Sequence, residues 1–155
     1  MRMDKRKVIE RIREEFRLKF EKLKRASDTA REDATDAESK AESKYDTQGL
    51  EASYLAAGQA ERAEDLAIAL QTFNSEPFPP FPARAAIAEG ALVEVDFGGG
   101  VEWFLLAPSA GGMSILFDGA EVTILGPAAP LRARLIGQKA GKKLKEPNLK
   151  IKSVC

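Results

Sequence analysis

The chain contains no histidine, and its single cysteine, Cys155, is the last of 155 residues. One cysteine cannot form an internal disulfide, and without histidine the common Cys/His zinc patterns are excluded. The usual general base of Ser-His-Asp and Cys-His catalysis is missing as well, which leaves carboxylates, lysine and tyrosine for any chemistry. No apolar run approaches 18 residues, and the N-terminal Met-Arg-Met-Asp-Lys-Arg-Lys leads into a charged segment rather than the apolar core of a signal peptide. These absences predict a soluble cytoplasmic protein that makes no use of a membrane.

What is present is strongly segregated by charge. The formal net charge is zero, yet residues 1–25 carry 11 Lys/Arg against 5 Asp/Glu, and residues 132–152 carry 8 against 1. The 5 bases and 18 acids that remain lie between them. A simple nucleic-acid binder would show one continuous basic face, so basic ends around an acidic middle point to a partner with surfaces of both signs.

From Asp4 to about Ala30, Ile9, Ile12, Phe16, Phe20, Leu23, Ala26 and Ala30 recur at spacings of three and four, with no Gly or Pro between them. So narrow a stripe suits a seam against one partner helix. Leu50, Tyr54, Ala57, Ala60, Ala63, Ala67 and Leu70 supply a second stripe of the same kind, and Gly49 and Gly58 weaken that helix. The expectation is an antiparallel coiled-coil hairpin over residues 1–76, bending somewhere between Asp33 and Asp46. Ser75-Glu-Pro-Phe-Pro-Pro-Phe-Pro82 cannot continue a helix, because its prolines lack amide donors and bias the preceding residues to extended backbone. Residues 77–84 therefore read as a stiff linker, with Phe78 and Phe81 pinning it onto a neighbouring domain.

Beyond the linker the period changes to two. Segments 91–97, 101–106, 113–117 and 121–125 read as strands separated by Gly98-Gly-Gly100, Gly111-Gly112 and Asp118-Gly119. They predict a meander of hairpins, then a short helix over 129–137 and a last strand over 148–154. The fold class expected is α+β, with the helical hairpin followed by a small β-rich domain over 85–155.

Two pieces of sequence carry a family resemblance. Pro130-Leu131, Ala133, Leu135-Ile136-Gly137, Lys139 and Gly141 resemble the C-terminal signature S-P-L-x-x-A-L-I/L-G-K-x-x-G-D of the bacterial Gre transcript cleavage factors, with Ala129 in place of the Ser, Lys142 in place of the Asp, and Ala133 and Lys139 each one place away from the signature's Ala and Lys. Asp36-Ala-Glu-Ser-Lys-Ala-Glu-Ser-Lys-Tyr45 is similar to, though longer than, the family's acidic tip D-L-K-E-N-A-E-Y. The resemblance implies an FKBP-like C-terminal domain without isomerase activity, docking through Pro130, Leu131 and Lys139 at the rim of the RNA polymerase secondary channel. It also implies that the chain is no enzyme itself. Its tip would act in the active site of core polymerase, where Asp36, with either Glu38 or Glu42, would help hold a second Mg²⁺ shared with the polymerase. Asp33-Ala-Thr-Asp36-Ala37, with its alanine one place early, also resembles the D-x-x-D-x-A tip of DksA, a regulator of initiation that does not stimulate cleavage.

Each residue also has a plainer reading. Asp33, Asp36, Glu38 and Glu42 lie among seven acids and three bases between Asp28 and Asp46, and carboxylates are stabilised where a second helix begins. Tyr45 reads as packing the tip or meeting the partner. The bases of the first helix, Lys5 and Arg13 among them, read as a solvated exterior or as a face toward the acidic funnel of a polymerase or the RNA 3′ end. Lys139, Lys142, Lys143 and Lys145 allow the same two readings, while Trp103, Phe104 and Phe117 read as core. The chain is expected to act as a monomer.

Overall fold

The computed structural model describes residues 3–40 and 48–155, with side chains described for 3–26, 28–29, 58 and 60–155. In chain order the elements are α1 (Lys5–Lys40), α2 (Gln48–Ser75), β1 (Leu92–Asp96), β2 (Val101–Leu106), β3 (Ser114–Phe117), β4 (Ala120–Leu125), α3 (Pro130–Leu135), β5 (Lys143–Leu144) and β6 (Leu149–Val154). They form two compact units, one of residues 1–13 with 71–155, the other of residues 14–70.

Helix α1 begins behind Asp4, whose carbonyl accepts the Val8 amide at 3.0 Å, and continues ten residues past the expected end at Ala30. Residues 31–40 hold no Gly or Pro and several strong helix formers, so local propensity extends the helix where the apolar stripe stops. Val8, Ile9, Ile12 and Phe16 are buried, Phe20 and Leu23 half-buried, and Ala26 exposed. Among the described side chains of α2, Ala63, Leu66, Ala69 and Phe73 are buried. That stripe is rotated from the predicted one, because Leu66 and Phe73 offer more apolar area than Ala60 or Ala67, which is half-buried. The Arg13 guanidinium donates to the Phe73 carbonyl, so the start of α1 lies beside the end of α2 and the two run antiparallel there.

The six strands form one sheet in the order β3-β4-β2-β1-β6-β5. Two predicted hairpins are present: β1 with β2, and β3 with β4. The second turns on Asp118 and Gly119, both at positive φ (50° and 79°), as a two-residue hairpin of this type requires. The simple meander is not what forms. β2 pairs in parallel with β4, and β1 is flanked by β2 and β6. The connection from Ala107 to Met113 carries the chain past the place beside β2, so that β4 returns into it and β3 is left at the edge. The short β5, paired with β6, had no sequence signal of its own.

That connection is held by a close crossing of two glycines. A Cβ on Gly111 would stand 2.9 Å from the Gly126 backbone, and one on Gly126 would stand 3.1 Å from Gly111 Cα. Amide bonds from Gly112 to the Ile124 carbonyl (2.9 Å) and from Ile124 to the Met113 carbonyl (2.8 Å) continue the contact.

Both faces of the sheet are buried at its centre. One side packs Val93, Val95, Phe104, Leu106, Leu125, Leu149 and Ile151 with Ile87 and with Leu135 of α3. On the other side Leu92, Trp103, Leu105, Val122 and Ile124 are equally buried, and the same unit contributes the buried Met3, Val8, Ile9, Ile12 and Phe73. Met3 and Trp103 line one groove of ≈ 440 Å³ together with Phe81 and Cys155.

Gly111→Ala is expected to lower stability by about 1–3 kcal/mol, as overpacking against fixed backbone does, whereas Gly99→Ala, with open space around it, should stay within about 0.5 kcal/mol. Urea unfolding of the two variants checks both.

Candidate functional site

The resemblance assigned two regions, and the structure describes them unequally. Asp33, Asp36 and Glu38 fall on the helical backbone of α1. Residues three apart on a helix share a side, whereas residues two apart do not; positions 33 and 36 are thus neighbours along one side, and position 38 is turned away from 36. Glu42 and Tyr45 lie outside the described residues. Among the described residues no group of three or more Cys, Asp or Glu could hold a metal ion.

The C-terminal region is described in full. Pro130 opens α3, where a missing amide costs nothing and a fixed φ suits the first turn. Leu135 is fully buried, and Ala129 and Leu131 pack half-buried against the same core. Past the helix, Ile87 exchanges two backbone bonds with the loop: its amide donates to the Gln138 carbonyl and its carbonyl accepts from the Gly137 amide, both at 2.8 Å. Gly137 turns the chain at φ 83°. Leu131, Leu135 and Gly137 of the signature thus serve the fold itself. Pro130, Ala133, Arg134, Ile136 (41% exposed) and Lys139 are left facing outward. A groove of ≈ 480 Å³ lined by Gly111, Gly112 and residues 123–129 runs up to the start of α3.

Arg132 fastens this helix and was not singled out by the sequence. It forms an ion pair with Glu89 and donates from Nη1 to the carbonyls of Ala107 (3.1 Å) and Leu125 (3.3 Å). These carbonyls lie at the ends of two neighbouring strands, so Arg132 closes the sheet beneath α3. It occupies an unspecified position of the signature and Glu89 lies 43 residues away, so only the fold could reveal the pair.

The basic first helix is not uniformly a solvated or binding face. Lys5 is only 9% exposed: its Nζ donates to the carbonyl of Pro79 (2.6 Å) and to the main-chain oxygen of Cys155 (3.0 Å), 4.6 Å above the centre of the Phe81 ring. The linker is pinned as expected, with Phe78 stacked on Phe73 at 5.0 Å. Arg17 pairs with Glu14 and Glu21, and Lys19 with Glu15, along the exposed helix surface. Burial pulls the Lys5 ammonium down from 10.5 to about 8, against attraction to Cys155, which raises it.

No protein-family model matches the chain, and no curated protein does. Among solved structures it is similar to the GreA factor homolog 1 (Gfh1) of Thermus thermophilus, at 16% identity over 92% of this chain and 94% of that one, with a TM-score of 0.38. It is similar also to Gfh1 of Thermus aquaticus, at 15% identity over 94% of this chain and 92% of that one, with a TM-score of 0.36. No helix among the described residues is long and apolar enough to cross a membrane.

Because the folded-state pKa of Lys5 lies below its unfolded value, the unfolded chain binds more protons between the two. Stability should therefore rise as pH increases from about 8 toward about 10.5. Urea midpoints across that range are expected to climb in the parent chain and to lose most of that climb in Lys5→Met.

Proposed function

We propose that the chain is a Gre-like factor that binds RNA polymerase at its secondary channel and acts on the polymerase active site through acids between Asp33 and Asp46. The observation that carries this reading is how the C-terminal signature divides in the fold. Leu131, Leu135 and Gly137 build α3 and its exit, while Pro130 and Ile136 stand outward, as does Lys139 one place from the signature's Lys, and an open groove runs up to the start of the helix. Motif residues that face solvent are available to a partner. The two long helices that precede the sheet supply the other part that such a factor requires.

In this reading the chain has no nuclease activity alone, since it completes an active site that belongs to its partner. Mg²⁺ accepts one or two protein carboxylates and keeps several waters, which suits a pair such as Asp36 with Glu38 or Glu42 shared with a second protein. A second metal ion held by these carboxylates together with the polymerase would supply charge stabilisation for hydrolysis of a phosphodiester. The part of this chain is to deliver the carboxylates to backtracked RNA.

A second reading has its own support. Helical backbone continues through Lys40, which keeps positions 33 and 36 on one side, as in the D-x-x-D-x-A pattern, and favours a channel-binding regulator that tunes initiation or restrains the polymerase without cleaving. One assay separates the two. Stalled, backtracked elongation complexes are expected to shorten their RNA when the chain is added, and Asp36→Ala should reduce this by at least the roughly tenfold that loss of a supporting group at a metal site costs. Glu38→Ala and Glu42→Ala, made singly, assign the partner carboxylate. Binding with altered promoter output but no RNA shortening selects the second reading.

A further inference from the structure

One edge of the sheet carries exposed lysines outside the core, two of which, Lys150 and Lys152, have no part in the Gre-like reading. On β6, Leu149 and Ile151 are buried in the core, while Lys150 and Lys152 alternate with them and are exposed. On β5, Lys143 is exposed and lies directly across from Lys150 in the register. Lys145 is exposed in the turn that joins the two strands. None of the four makes an ion pair among the described residues.

Protection of a sheet edge against pairing with another chain is the common use of such lysines. It accounts for Lys143 and Lys145 but not for Lys150 and Lys152, because β6 is bonded on both sides, to β1 and to β5. An acidic protein partner is the weaker fit. Protein interfaces are depleted in lysine and draw on aromatic and arginine anchors; no arginine lines the grooves beside these lysines, and Phe97, which lines one with Lys143 and Lys150, packs against the core. What it offers is one step of matching length: Lys150 and Lys152, two residues apart along β6, advance about 7 Å, comparable with the distance between successive phosphates of an extended polynucleotide strand, and Lys143 lies across the ladder from Lys150. Asp96, in register with Lys150 on the β1 side, would repel phosphate and confine the track to β5 and β6.

We propose that the face formed by Lys143, Lys145, Lys150 and Lys152 binds the sugar–phosphate backbone of a single-stranded nucleic acid. The contact is electrostatic and independent of sequence. It stands apart from the polymerase reading, because its test contains no polymerase. Fluorescence anisotropy of a labelled 12-nucleotide oligouridylate with the full chain, across a salt series, gives the number of phosphates neutralised. Four contacts predict a slope of log K against log salt of about −2.8, and Lys143→Gln/Lys150→Gln should bring it to about −1.4 with weaker binding at low salt. A control pair with the same charge loss, Lys7→Gln/Lys142→Gln, should leave the slope unchanged. Absence of binding, an equal loss in the control pair, or displacement of the oligouridylate by poly-glutamate at matched charge concentration would each overturn the proposal.

Discussion

The constraint on which the rest of the structure depends is that the sheet is apolar on both faces at its centre. Val93, Val95, Phe104 and Leu106 face one way, and Leu92, Trp103 and Leu105 the other. Helix α3 and the segment around Ile87 close the first face. The second cannot be left wet, since each large side chain is worth about 1.5–3 kcal/mol on burial. The start of α1 and the end of α2 accordingly belong to the same compact unit as the strands. Lys5 marks this join, with its ammonium bonded to the Pro-rich segment and to the last residue of the chain. Burial depresses its pKa, so the charged form is held at a cost that its two main-chain oxygen partners partly offset.

Much of this was legible in the sequence. The strands β1 to β4 and β6, the Asp118-Gly119 turn, the Pro-rich break and the first half of α1 follow from period, turn chemistry and proline's missing donor. Their arrangement was not legible, because strand order depends on the path of the connection from Ala107 to Met113 and on the crossing of Gly111 with Gly126, which no local pattern encodes. The stripe of α2 was misjudged for a related reason. In an alanine-rich helix several narrow stripes compete, and the buried one runs through Ala63, Leu66, Ala69 and Phe73.

The candidate site shows the same division. The signature from Pro130 to Gly141 could be read, but not which of its residues serve the core and which serve a partner; Leu131 and Leu135 turn inward, Ile136 and Lys139 outward. Lys5 and Arg13 looked like members of a charged exterior and instead bond to main-chain carbonyls. Arg132 acts through Glu89, 43 positions away. Charged residues are the hardest to assign from sequence because their roles depend on partners that only the fold supplies. Asp33, Asp36, Glu38 and Glu42 are assigned by resemblance alone, the first three on the helical backbone of α1.

Direct binding of the full chain to core RNA polymerase tests the central claim most simply. The account predicts a saturable complex of one chain per polymerase, weakened by Lys139→Glu and by Ile136→Asp while the thermal unfolding of the free variants stays near that of the parent. Absence of a complex at micromolar concentrations, or binding indifferent to both substitutions, would contradict it.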